Sequence, residues 1–138
     1  MAKENIFLDT NILLYAFLDF QDTRKHTVAV RIFSGSSGII STQVVNELCS
    51  NIIKRTSSSE ETIEKIIKDL FQKYTVTVLS ESTLLEASNL RKGYKFSFWD
   101  SLLIASALEA KAEIIYSEDL QHKQIIGNSL TIINPFLD

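Results

Sequence analysis

The sequence predicts an α/β fold in which helices cover both faces of a mainly parallel sheet. Short β-branched or apolar runs alternate with longer segments of helical periodicity, which is the pattern of parallel strands joined by helices. Only 4 Gly and 1 Pro are present, too few for an all-β protein with many tight turns. A length of 138 residues suits one domain, which we expect to span residues 1–138.

Five strands and six helices are expected in chain order. The strands are residues 5–8, 39–41, 75–79, 113–116 and 130–133; the helices are residues 12–18, 22–33, 42–55, 58–74, 80–93 and 97–110. Capping residues are expected at Thr42, at Ser58 paired with Glu61, and at Ser97 paired with Asp100. A short helical turn is expected over residues 120–124.

Charge and cysteine content restrict the partners and the compartment. Fourteen basic against seventeen acidic residues give a net charge of −3, which argues against nucleic-acid binding through bulk positive charge. Cys49 is the one cysteine of the chain, as expected in a reducing compartment. The apolar stretch 6–20 contains Asp9, Asn11 and Asp19, so we interpret it as neither a signal peptide nor a membrane span. These features favour a cytoplasmic protein.

Four acidic residues follow strand ends or begin helices. Asp9 follows the first strand, Glu47 lies in the helix after the second, Asp119 follows the fourth, and Asp100 lies in the first turn of a helix. Because parallel strands end at one edge of a sheet, we expect these acids to converge there. Each also has a structural interpretation: Asp9 and Asp100 as helix caps, Asp119 as a turn residue, Glu47 as a surface acid.

A cluster of carboxylates favours a bound cation, since like charges otherwise repel and raise one another's pKa values. Oxygen ligands of this kind suit Mg²⁺ or Mn²⁺, which serve phosphodiester chemistry. Zinc is disfavoured because the two histidines and Cys49 lack the spacing of a zinc site. Thr10, Asn11 and Ser117 lie beside the acids and are expected to orient them.

Four segments, taken in order, resemble the PIN-domain nucleases, and in particular the VapC-type ribonuclease toxins. They are Ile-Phe-Leu-Asp-Thr-Asn at residues 6–11, Val-Val-Asn-Glu-Leu at 44–48, Phe-Trp-Asp-Ser-Leu-Leu at 98–103, and Tyr-Ser-Glu-Asp-Leu at 116–120. The closing Asn-Pro-Phe at 134–136 is also typical of VapC-like proteins. In this alignment the family's acids match Asp9, Glu47, Asp100 and Asp119, while Glu118 departs from the pattern and is interpreted as a solvated residue.

The resemblance implies a three-layer α/β/α sandwich around a sheet of four or five mainly parallel strands. It also implies an endoribonuclease that uses Mg²⁺ or Mn²⁺ bound by the four matched acids and acts on structured RNA such as tRNA. Such proteins are toxins of type II toxin–antitoxin pairs; we therefore expect a homodimer silenced by a cognate antitoxin protein.

Substrate contact is expected at a basic and aromatic segment before Asp100. Arg91, Lys92 and Lys95 are the candidate RNA contacts, although the end of a helix also favours cations. Two other functions stay open: an aspartate-based phosphatase with Asp9 as nucleophile, and a metal-binding PIN-fold interaction module without catalysis.

Overall fold

The computed structural model describes residues 5–18, 22–35 and 37–137. Asp19 and Phe20, which belong to the apolar stretch discussed above, lie outside these residues. The elements are β1 (Ile6–Leu8), α1 (Thr10–Phe17), α2 (Thr23–Gly35), β2 (Ile39–Ser41), α3 (Thr42–Arg55), α4 (Glu60–Lys73), β3 (Thr75–Thr77), α5 (Glu81–Gly93), α6 (Phe98–Glu109), β4 (Ile114–Tyr116), β5 (Ile125–Ile126) and β6 (Leu130–Ile133).

The strands form one sheet in the order β3-β2-β1-β4-β6-β5. Neighbouring strands from β3 to β6 run parallel, and β5 alone runs antiparallel to its neighbour β6. The predicted α/β fold with a mainly parallel sheet is therefore confirmed, and six helices around it are consistent with a three-layer sandwich. Because β1, β2 and β4 are parallel, the residues that follow them meet at one edge of the sheet.

Three expectations about the elements were wrong. β5 makes the sheet six-stranded instead of four- or five-stranded. β3 ends at Thr77, two residues earlier than expected, and residues 120–124 contain no helix. Hydrogen bonds explain the last difference: the Gln124 N–H donates to the Gln121 carbonyl at 3.2 Å in a turn, and Lys123 donates its N–H to the Ile132 carbonyl at 2.7 Å, so β6 holds this turn in place of a helix.

Two helix caps lie one residue from their expected places. Ser41, and not Thr42, caps α3 by accepting the Val44 N–H at 3.4 Å. Ser59, and not Ser58, caps α4 by accepting the Thr62 N–H. In both cases the cap is the last residue with extended backbone, as an N-cap requires.

Buried apolar side chains from the sheet and the helices form one core. Phe7, Ile40, Ile115 and Ile132 are fully buried on the strands, and residues 101–107 of α6 are all buried. This burial fixes the position of the first turn of α6, where Asp100 lies. Across the described residues, every helix is too short or too polar to cross a lipid bilayer.

Candidate active site

All four predicted acids line one cleft of about 220 Å³. Asp9 directly follows β1, Asp119 lies in the loop after β4, Glu47 is on α3, and Asp100 is in the first turn of α6. Asp9 is buried, Glu47 and Asp100 are half-buried, and Asp119 is exposed. The convergence expected from parallel strand ends is thus present, with side chains from four separate elements.

Asp9 is held on both carboxylate oxygens. Its Oδ1 accepts the Thr10 N–H at 2.6 Å, and its Oδ2 accepts the Ser117 hydroxyl at 2.8 Å. The second contact follows from the sheet register, in which Leu8 pairs with Tyr116, so Asp9 and Ser117 leave their strands side by side. Asp9 is also the N-cap of α1, so its structural interpretation and its place in the cleft both hold.

Burial raises the pKa of the Asp9 carboxyl from 3.8 to about 6. The hydrogen bonds from Ser117 and Thr10 offset part of this rise, and the charges of Asp119 and Glu47 add to it. Asp119 and Glu47 are therefore close enough to act on Asp9 electrostatically.

Glu47 and Asp119 are oriented by adjacent residues at the start of α1. The Thr10 hydroxyl donates to Glu47 Oε1 at 2.6 Å, and the Asn11 amide donates to Asp119 Oδ2 at 2.7 Å. Together with Ser117, the three polar residues selected from the sequence each donate to one acid of the cleft. Their part in catalysis stays a prediction.

Asp100 enters the cleft from a capped helix end. Ser97 accepts the Asp100 N–H at 3.1 Å as the N-cap of α6, as expected from the sequence. Because residues 101–107 of α6 are buried, this first turn is fixed against the core.

The oxygen atoms of the cleft are of the kind that a hard divalent cation prefers. They belong to four carboxylates, and one of these, Asp9, is buried near other negative charges. Arg55 is the one basic residue among the described residues that line the cleft. In the side-chain conformations of residues 5–18, 22–35 and 37–137, however, no group of three Asp, Glu, His or Cys residues is arranged to hold a metal ion. Glu47 and Asp119 each direct one oxygen to a neutral donor instead.

The family model for the PIN domain matches residues 6–127. The chain belongs to the PIN domain family. Comparison with curated protein sequences gives no significant match.

Solved structures share this PIN fold at low sequence identity. A chain of a toxin–antitoxin complex from Klebsiella pneumoniae superposes with a TM-score of 0.70 at 17% identity, covering 95% of this chain and 98% of that one. VapC20 from Mycobacterium tuberculosis, described as a sarcin–ricin loop cleaving toxin, gives 0.69 at 17% identity, covering 83% and 90%. FitAcB from Neisseria gonorrhoeae gives 0.68 at 14% identity, covering 95% and 98%.

Several residues that line the cleft of this PIN domain were not selected from the sequence. Gln43, Asn51 and Arg55 lie on α3, and Trp99 precedes Asp100 on α6. A pattern in the sequence does identify part of this set, because Gln43, Glu47 and Asn51 are spaced four residues apart and so share one face of a helix.

The predicted RNA contacts lie outside the residues that line the cleft. The Arg91 guanidinium donates to Ser101 Oγ at 2.6 Å and stacks 4.7 Å from the centre of the Phe98 ring. Lys92 and Lys95 are exposed near the end of α5, where the helix dipole also favours cations. A contact between these three residues and RNA stays a prediction.

Glu118 does not line the cleft. It accepts the Tyr15 hydroxyl at 2.8 Å and forms an ion pair with Lys25. The hydrogen bond with Glu118 is the main cause of the raised pKa of Lys25. Glu118 thus links α1 and α2 to the loop that carries Asp119, which gives it a structural role in place of the predicted solvated one.

Proposed function

We propose that this PIN domain is a Mg²⁺- or Mn²⁺-dependent endoribonuclease, the toxin of a type II toxin–antitoxin pair. The observation that carries the proposal is the cleft itself, which gathers Asp9, Glu47, Asp100 and Asp119 from four elements at one edge of the sheet. Four carboxylates with a single facing cation, Arg55, form a site that needs positive charge from outside the chain.

Each residue then has a defined part. Asp9, Glu47, Asp100 and Asp119 hold the divalent cation. When bound, it supplies charge neutralisation beside a phosphodiester and a lowered pKa for water. Ser117 and the Thr10 N–H fix the Asp9 carboxylate, the Thr10 hydroxyl fixes Glu47, and Asn11 fixes Asp119. These donors are neutral, so they orient the acids without cancelling the charge that attracts a cation.

The structural neighbours support the class of substrate and partner. One is described as a toxin–antitoxin complex, two others are described as bound to DNA fragments, and VapC20 is described as a sarcin–ricin loop cleaving toxin. By extension we propose structured RNA such as tRNA as substrate, a cognate antitoxin as inhibitor, and a homodimer as the active assembly. Light scattering of the purified chain tests the last point.

The decisive experiment is incubation of purified protein with total RNA in Mg²⁺, Mn²⁺ or chelator, followed by mapping of new RNA ends. Wild type is expected to generate defined ends with metal and none with chelator. Asp9→Asn and Asp100→Asn are expected to generate none. Asp69→Asn is the matched control, because Asp69 is an exposed acid on α4 that pairs with Lys65. Equal cleavage by wild type and both cleft variants would refute the scheme.

The alternative of a metal-binding module without catalysis uses the same four acids of the cleft, so experiment must separate it from the nuclease. Saturable Mn²⁺ binding with no new RNA ends would establish it. The aspartate-based phosphatase has less support, since the described cleft lining contains Arg55 and no lysine. A trapped phosphate ester on Asp9 would revive it.

A further inference from the structure

A second, larger hollow opens beside the acidic cleft. This groove has a volume of about 620 Å³ and shares Gln43, Glu47, Asn51 and Trp99 with the cleft. The groove and the cleft are therefore continuous. A chain with a phosphate at the acids would have the groove beside it.

The walls of the groove are rich in neutral hydrogen-bonding groups. Asn46 and Ser50 are exposed on α3, and Asn51 donates to the Glu47 carbonyl at 2.8 Å, which leaves its own Oδ1 without a described partner. Gln43 donates to the Trp99 carbonyl at 3.4 Å, while its Oε1 is buried and accepts no hydrogen bond from the described residues. The exposed Asn46 and Ser50 are therefore the groups of this wall that a ligand reaches.

An exposed aromatic ring stands at the junction of the two hollows. Trp99 is 61% exposed although it lines both of them. Its ring is supported edge-to-face by Phe98 at 5.2 Å, and Phe98 lies under the Arg91 guanidinium. A supported, solvent-facing indole offers a flat surface on which any nucleobase can stack.

The lining of the groove offers a nucleotide contacts of several kinds. Lys54 lines it near the end of α3, at a place suited to a phosphate. Apart from Trp99, Leu79 is the one apolar side chain among the described lining residues. A nucleotide uses a stacking ring, amides and a cation together, which is the combination that this lining presents.

We infer that the groove is a binding subsite for an unpaired RNA nucleotide next to the phosphate that the acidic cleft acts on. Trp99 stacks on the base, Gln43 and the asparagines of α3 contact its edge, and Lys54 contacts the backbone. This inference rests on the proposed function, since it takes RNA as the substrate. It adds that Trp99 and Lys54, which are not among the acids of the cleft, hold the nucleotide next to the cleaved bond.

Trp99 reports on the groove directly, because it is the only tryptophan in the chain. Full-length Asp9→Asn protein in Mg²⁺ is titrated with ten-nucleotide homopolymers of U, A and C while the tryptophan emission is recorded. Saturable quenching is expected with at least one of them. Wild type with Mg²⁺ is assayed for cleavage in parallel.

Binding of labelled RNA, measured by anisotropy, then tests the residues. In the Asp9→Asn background, Trp99→Ala is expected to weaken binding by roughly five- to 150-fold, the range for loss of one stacked base, and Trp99→Phe by much less. Phe71→Ala, which removes an exposed ring on α4, is the control and should change nothing. Lys54→Ala should lower the slope of log affinity against log salt by about 0.7, and Lys68→Ala should not.

The outcomes separate the two proposals. Quenching by RNA without cleavage by wild type refutes the proposed function and supports the subsite. Cleavage by wild type, with unchanged tryptophan emission and equal RNA binding by Trp99→Ala, refutes the subsite and leaves the groove to a protein partner. The Trp99→Phe variant guards against misfolding, since it keeps an aromatic ring at an exposed position.

Discussion

Replacement of Asp9 by asparagine is expected to stabilise the metal-free protein at neutral pH. The Asp9 side chain is only 9% exposed and shares its cleft with Glu47 and Asp119. Burial raises the pKa of its carboxyl to about 6, so the ionised form is held at a cost to the folded state. Asparagine has nearly the same shape and carries no charge to desolvate.

The sign and the size of this change in stability follow from the pKa values of Asp9 in the folded and the unfolded chain. Since the pKa is about 6 in the folded chain and 3.8 when unfolded, the stability that Asp9 contributes is fully present below pH 3.8 and is lost as the pH rises through 6. The loss above pH 6 is about 3 kcal/mol, at about 1.4 kcal/mol for each tenfold change in proton affinity. Asparagine has one acceptor oxygen for two donors, Thr10 and Ser117, and a weakened hydrogen bond costs about 1 kcal/mol.

A net gain of about 2 kcal/mol remains, which corresponds to about 7 °C in Tm for a chain of this length. Thermal unfolding in chelator near pH 7.5 should show this gain; near pH 4, where Asp9 of the folded wild type is protonated, the gain should be absent and only the hydrogen-bond cost of about 1 kcal/mol should remain. Asp69→Asn serves as the control and should shift Tm little at either pH, because its ion pair with Lys65 is exposed. A fall in Tm near pH 7.5, or an equal gain at both pH values, would refute the reasoning.

The same pair of proteins tests metal binding through stability. A cation that binds only the folded wild type raises its stability by about 2.7 kcal/mol at a concentration a hundred times its Kd. Mn²⁺ should therefore raise the Tm of wild type and leave Asp9→Asn nearly unchanged. An equal rise in both would show that Asp9 is not a ligand.

Three further predictions concern helix capping and burial in the core. Ser41→Ala should cost about 1–2 kcal/mol because Ser41 is buried and caps α3, whereas Ser57→Ala, at an exposed loop position, should cost little in urea unfolding. Phe136→Ala should cost about 3–5 kcal/mol since the ring is 2% exposed, and Phe71→Ala, at 50% exposure, should cost far less. Burial raises the pKa of the Cys49 thiol, so Ellman's reagent should react with it quickly only when the protein is unfolded.

The strands were predictable because their apolar runs are short, bounded and separated by periodic helices. β1, β2, β4 and β6 match the expected ranges within one residue. β5 was not predicted because Ile125 and Ile126 form a strand of two residues, which is too short to show alternation. Its formation depends on pairing with β6. The helical turn expected nearby was wrong for the same reason: the hydrogen bond of Lys123 to Ile132 overrides the local preference.

The acids were predictable for a topological reason, and the rest of the site was not. Parallel strands bring their ends to one edge, so Asp9, Glu47 and Asp119 could be grouped without knowledge of any side-chain contact. The sequence did not indicate that Trp99 lines the cleft. An aromatic residue near the start of a helix can equally well pack into the core. The hydrogen bonds of Thr10 and Asn11 also depend on the exact rotation of α1, which the sequence does not specify.

The helix α3 reconciles the net charge of −3 with the RNA substrate proposed above. One face of α3 packs into the core, and the opposite face carries polar residues with spacing i, i+3, i+4, i+7, i+8 and i+11: Gln43, Asn46, Glu47, Ser50, Asn51 and Lys54. Without the four acids of the cleft, the chain has fourteen basic and thirteen acidic residues, a net charge of +1. The negative charge is thus concentrated at Glu47 and its partners, while Lys54 and Arg55 follow on the same helix. If the proposed function holds, this order favours approach of the RNA strand from the cationic end of α3, and the proposed cation offsets the repulsion between its phosphates and the acids.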